Sequence, residues 1–109
     1  DAQLACLSIL KEGVSCQEAD LASRNVIKEA GFDAYFTHST GHGVGFQIHE
    51  QPNLSPNNTT GILKSGNIVT VEPGIYLPNE FGVRIEDMAL IQENGIENLT
   101  HSNKSLIIL

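Results

Sequence analysis

The sequence predicts an α+β domain: two helices, then an antiparallel sheet. Three observations carry that prediction. Residues 1–31 hold few glycines and no proline, whereas residues 38–82 hold most of the Gly, Pro and Asn. The apolar period changes after residue 35, from helical spacing to short β-branched runs. An Asn94-Gly95 pair near the end is a strong short-range hairpin signal.

The elements follow in order. Asp1 to Glu12 is apolar on most sides, which predicts a helix buried on more than one face, ended by Gly13. Ser15-Cys16-Gln17-Glu18 has the S-x-x-E form of a capping box and starts a second helix that runs to about Ala30. Ala19, Ala22, Val26 and Ala30 form its expected buried stripe, and Gly31 stops it. Ile68 to Glu72 reads as a strand, and Gly82 to Gln92 as a second, longer one. Asn94-Gly95 predicts a type I′ turn into a returning strand, Ile96 to Leu99. Leu106 to Leu109 reads as a last short strand, and Gln51 to Lys64 as a polar loop.

Composition narrows the function. The chain has 109 residues, 40% of them hydrophobic, enough for one core and too few residues for two. Six Lys and Arg against 13 Asp and Glu give a net charge of −7, which argues against a nucleic-acid partner. No apolar run approaches the roughly 18 residues of a membrane span. No basic region followed by an apolar stretch opens the chain, so no secretory signal is expected. Cys6 and Cys16 are too few for a disulfide framework, and a reduced, cytoplasmic setting is the simplest expectation.

Four segments carry chemistry. They are His38-Ser39-Thr40-Gly41-His42-Gly43-Val44-Gly45, His49-Glu50-Gln51-Pro52, Val71-Glu72-Pro73-Gly74-Ile75-Tyr76 and Gly82-Val83-Arg84-Ile85-Glu86-Asp87. The glycines make a helix improbable around His42 and suggest an extended chain approached closely by another backbone. On such a chain His38 and His42 share a face, because side chains alternate with period two. The run lacks the helix and the third glycine of a dinucleotide loop. Glu72 precedes a proline, which favours extended geometry and sets its carboxylate at a strand end. Arg84 and Glu86 fall on one face of a strand and Asp87 on the other. A half-buried carboxylate must be paired, protonated or metal-bound, and Arg84 offers the pairing. One imidazole with two carboxylates otherwise suits a divalent ion of the manganese, iron, cobalt or zinc kind.

In this order and at these gaps, the four segments resemble the pita-bread metallopeptidases, in the Xaa-Pro aminopeptidase and prolidase branch. The Gly-Val-Ser before the second helix adds to the resemblance, which covers essentially the whole chain. Methionine aminopeptidases share the Gly-His-Gly run but usually lack a histidine at position 38 and the Gly-Val-Arg-Ile-Glu-Asp strand.

The resemblance implies that His42, Glu72 and Glu86 are metal ligands, with Glu86 bridging two ions. Glu72 would also carry a proton. His49 would contact the scissile carbonyl, His38 would line the proline-side pocket, and Arg84 would orient the bridging carboxylate. The cofactors implied are two divalent ions, manganese first, with cobalt, zinc or iron as alternatives. The substrate class implied is a proline-containing peptide, cleaved at an Xaa-Pro bond by metal-activated water.

That family uses five ligands, two of them upstream aspartates. Asp1, Asp20 and Asp33 do not stand where those fall. Residues 1–109 are therefore expected to be the C-terminal half of a pita-bread catalytic domain. Alone they should bind metal weakly or not at all, lack activity, and self-associate or dimerise through exposed apolar surface. The alternatives are a non-catalytic pita-bread binding module and a metal-independent, creatinase-like hydrolase.

Overall fold

The computed structural model describes residues 1–109. Two helices, α1 (Ala2–Ile9) and α2 (Cys16–Glu29), precede a single 3-10 turn at Asp33–Tyr35. Seven strands follow: β1 (Gly41–Gly43), β2 (Glu50–Leu54), β3 (Ile68–Val71), β4 (Gly74–Leu77), β5 (Phe81–Arg84), β6 (Asp87–Gln92) and β7 (Gly95–Asn98). Five strands form one antiparallel sheet in the order β2-β1-β3-β6-β7, and β4 pairs with β5 in a separate ribbon. The predicted α+β architecture is the one observed.

The core lies between the helices and one face of the large sheet. Val69 and Val71 of β3 and Ala89 and Ile91 of β6 are fully buried against Cys6, Leu10, Cys16 and Ala19. Strand alternation turns Thr70 to the opposite face, away from the helices.

Helix α2 begins and ends as its sequence predicts. Ser15 and Glu18 exchange the reciprocal bonds of a capping box. Gly31 follows the helix at φ +84, with Gly31 N–H donating to the Lys28 carbonyl and Phe32 N–H to that of Ile27. Its buried face is shifted from the predicted stripe. Cys16, Ala19, Asp20, Ser23 and Ile27 are buried, while Ala30 is exposed. Polar residues occupy that face because each finds a partner there. Ser23 donates to the Ala2 carbonyl at 2.8 Å. Asp20, with no accessible surface, takes two bonds from Arg24 one turn on.

Five further expectations are corrected. Helix α1 stops at Ile9, because Leu10 turns extended and enters the core; Gly13, at φ +88, serves the turn after it. The helix is one-sided, with Leu4 65% exposed. Gln51–Lys64 is not wholly loop: Glu50–Leu54 pairs with β1, and Pro52 is accommodated because β2 is an edge strand. The final hairpin turns at Glu93-Asn94, one residue earlier than predicted, and Gly95 lies inside β7. Neither turn residue has a positive φ, so the turn is not type I′. Pairing of Ile91 with Ile96 on the core face sets that register. Leu106–Leu109 forms no strand; it joins no ladder, and its four side chains are exposed.

The fifth correction positions the site. The expected single strand from Gly82 to Gln92 is broken at Ile85-Glu86. Its partner breaks opposite, at Glu72-Pro73, where proline has no N–H to give the ladder. The register of Val71 with Asp87 and of Gly74 with Arg84 continues across the gap and sets Glu72 opposite Glu86. Asp87, just past the break, is buried and bound by Asn98 at 2.9 Å and Lys104 at 2.7 Å.

Two outcomes follow. Asp20→Ala leaves Arg24 without its buried partner and should cost about 3 kcal/mol in urea denaturation; a loss below about 1 kcal/mol would show that the pair does not carry the fold. Both cysteines are free and buried, and burial pushes the Cys6 thiol up from 9.0 to about 12 and raises Cys16 as well. A folded-state pKa above the unfolded one stabilises below pH 9 and is lost as pH rises toward 12. At pH 8 a thiol-specific reagent should therefore leave both cysteines unmodified until denaturant is added.

Candidate active site

The candidate residues gather where β1, the end of β3 and the broken strand meet. Gly41 and Gly43 flank His42, and a side chain at either would overlap backbone: that of Thr70 at Gly41, and that of Glu50-Gln51 at Gly43. The expected close approach of two backbones is present, and it lets Thr70 Oγ1 accept from the His42 N–H at 3.1 Å. Beyond β3, Glu72 N–H donates to the Thr40 carbonyl at 2.7 Å.

Thr70 also donates its hydroxyl proton to Glu72 Oε1 at 2.8 Å. His42 Nε2 faces that same oxygen at 3.0 Å. The other ring nitrogen, Nδ1, lies 2.9 Å from the Gly43 carbonyl, which can only accept, so Nδ1 carries a proton. A shared proton or a cation between Nε2 and Oε1 satisfies both atoms. The side chains of both residues are largely buried.

Arg84 stands between the two glutamates. Its Nε lies 3.8 Å from Glu72 Oε2 and 3.7 Å from Glu86 Oε2. The Tyr76 hydroxyl first, then the carboxylates of Glu72 and Glu86, raise the Arg84 pKa above its ordinary value. Glu86 itself is exposed, against the expectation of half-burial, because it lies in the break rather than in a covered strand.

His38 is fixed from both sides. Its Nδ1–H donates to the Ser39 carbonyl at 2.8 Å, and Nε2 accepts from the Tyr76 hydroxyl at 2.7 Å. Helix α2 holds its backbone: Arg24 donates to the carbonyls of Phe36 at 3.1 Å and His38 at 2.8 Å. Asp20 accepts from Thr40 N–H at 2.9 Å. His49 comes from the loop between β1 and β2, and its ring lies against that of His42, with centroids 4.2 Å apart and planes tilted by 43°.

These groups border an open cavity of about 660 Å³ with no hydrophobic residue in its lining. His38, His42, His49, Glu72 and Arg84 all line it; Glu86 does not. Thr70 and Tyr76 are the residues to which sequence reasoning assigned no role. Thr70 carries a sequence signal, since it precedes Glu72 by two in an extended segment and so shares its face. Tyr76 meets His38 across 38 positions of chain, which no local pattern encodes.

Nitrogen and oxygen donors of this kind suit a divalent transition metal. In number they fall short: no three His, Cys, Asp or Glu side chains converge to hold an ion. His42 and Glu72 form a two-donor floor, with Glu86 across the strand break.

Comparison with known proteins places the chain. Residues 1–93 match the profile of metallopeptidase family M24. An uncharacterized peptidase of Bacillus subtilis is 50% identical over all 109 residues, which span 31% of that protein. The Xaa-Pro dipeptidase of Pyrococcus furiosus is 47% identical over 98% of the chain and 30% of its own length. Among solved structures, the Xaa-Pro dipeptidase from Bacillus anthracis superposes with a TM-score of 0.95 at 49% identity, over 99% of this chain and 30% of that one. The prolidase from Pyrococcus furiosus gives 0.91 at 48% identity, over 94% of this chain and 30% of that one. The fold is thus that of the pita-bread prolidases, and the chain spans about a third of the length of these relatives. The chain belongs to metallopeptidase family M24.

Proposed function

We propose that these residues form part of a peptidase that hydrolyses Xaa-Pro bonds, in dipeptides or at the N-terminus of longer peptides. The observation that carries the reading is the convergence of His38, His42, His49, Glu72 and Arg84 on one cavity that no hydrophobic residue lines. Identity of 47% to an Xaa-Pro dipeptidase supports the substrate class.

In this reading the segment is the C-terminal part of the catalytic domain. His42, Glu72 and Glu86 would hold divalent ions together with carboxylates from outside the 109 residues. Such ions, manganese before cobalt, zinc or iron, would supply Lewis acidity for water activation and carbonyl polarisation.

The remaining roles belong to side chains of this chain. Glu72, held at Oε1 by Thr70 and His42 and faced at Oε2 by Arg84, is the carboxylate that carries a proton. Arg84, a permanent cation, lowers the repulsion between Glu72 and Glu86 and orients both. His49 donates a hydrogen bond to the carbonyl oxygen of the scissile bond as negative charge develops there. His38, fixed as the Nδ1–H tautomer, forms the wall against the proline side. An Xaa-Pro bond has no N–H, so recognition rests on the carbonyl and the ring.

No helix is long and apolar enough to cross a membrane. Two free thiols fit a cytoplasmic setting. Phe81, Val83 and Ile85, exposed on β5 and just after it, support self-association.

The test is hydrolysis by the full-length, manganese-loaded protein. It should cleave Xaa-Pro dipeptides or longer Xaa-Pro peptides, and the ratio of the two rates separates the substrate classes. Glu72→Gln should lower kcat by about 10²–10⁴-fold. Failure on every Xaa-Pro substrate, with turnover of another amide, would overturn the assignment. Calorimetric titration of the 109-residue chain with Mn²⁺ should give weak binding or none; two tight sites would show that no outside ligand is needed.

A further inference from the structure

The loop that brings His49 to the cavity is closed by a carboxylate that no step above uses. Residues 44–49 bulge out between β1 and β2. The pairing of Gly43 with Glu50 and the bond from Val44 N–H to the Ile68 carbonyl, 2.9 Å, fix the base. Within the loop, Gly45 N–H donates to the Gln47 carbonyl at 3.0 Å. Gln47 N–H donates to Glu50 Oε2 at 3.1 Å.

The Glu50 side chain therefore folds back against the loop. It lies against Gly45, where a Cβ would overlap its carboxylate. The loop has little else to hold it. Phe46 is fully exposed and Ile48 is 73% exposed, so neither side chain packs inward.

We propose that Glu50 is a positioning residue for His49. Its carboxylate clasps the loop at Gln47 N–H, and the missing side chain at Gly45 leaves room for the clasp. Together they hold the His49 ring on the His42 ring at 4.2 Å. The inference rests on the reading of His49 as a substrate-contacting group, and it adds which residue fixes that group. A displacement of a reacting or stabilising group by about 1 Å costs on the order of 10²-fold in rate.

The experiment uses the full-length protein with ¹³C-labelled histidine, loaded with diamagnetic zinc, and the variants Glu50→Ala, Glu50→Gln and Gly45→Ala. The expected result is loss of the proton–proton NOE between the His42 and His49 rings in Glu50→Ala and Gly45→Ala. Glu50→Gln, which keeps an oxygen for Gln47 N–H, should retain it. With manganese, Glu50→Ala should lose about 10²-fold in kcat against Xaa-Pro substrates with little change in KM. Glu50→Gln should recover most of that loss.

An intact ring contact in folded Glu50→Ala would overturn the clasp, and so would equal damage from Ala and Gln. If Glu50→Ala fails to fold, Gly45→Ala decides by the same readout, because it displaces the carboxylate without removing it. Loss of the ring contact in a protein whose wild type cleaves no Xaa-Pro bond would uphold the clasp and reject the proposed function.

Discussion

Asp20 has no accessible surface, and a carboxylate in that position needs its charge answered where it sits. Arg24 answers it from the next turn of α2 with two bonds, at 2.6 and 3.0 Å. The pair then reaches across to the chain after the helix. Arg24 grips two carbonyls at Phe36 and His38 and lies over the Phe36 ring, 4.1 Å from its centroid. Asp20 takes the N–H of Thr40. Residues 36–40 have no strand of their own to hold them. The helix supplies the missing partners, and through Thr40 the grip passes to the backbone of Glu72. Site and core are therefore fastened by one ion pair.

A second constraint acts from the sheet. Proline at position 73 cannot complete a ladder, so the long ribbon divides into a portion that belongs to the five-stranded sheet and a separate two-stranded portion. Glu72 and Glu86 sit at the division, opposite each other, with Arg84 bridging them. Two carboxylates brought so near need a cation, and the guanidinium is the one this chain provides.

Much of this was legible in the sequence, for reasons that particular residues make plain. The capping box at Ser15 and Glu18 and the left-handed stop at Gly31 are local devices, and both are found. Glu72 before Pro73 reads as a strand end because the restriction lies in the adjacent bond. What failed depends on distant partners. The stripe of α2 was misplaced because Asp20 and Ser23 count as polar until Arg24, Thr40 and the Ala2 carbonyl are seen to satisfy them. The hairpin turn shifted because Ile91 and Ile96 seek the core together, which outweighs the preference of Asn-Gly. The strand through Ile85 looked continuous because the proline that breaks it belongs to its neighbour.

The glycines beside His42 have a consequence for how such a protein can change. Gly41 presses main chain on main chain, so the distance between His42 and Glu72 is a property of the backbone rather than of side-chain packing. The rim is different in kind. Gln47, Gln51 and Asn53 border the cavity as replaceable side chains. Exchange along that border reshapes the mouth of the cavity and leaves the spacing of His42 and Glu72 below untouched. The spacing of His42 and Glu72 is thus locked by two residues that have no side chain to vary, while the border stays open to substitution.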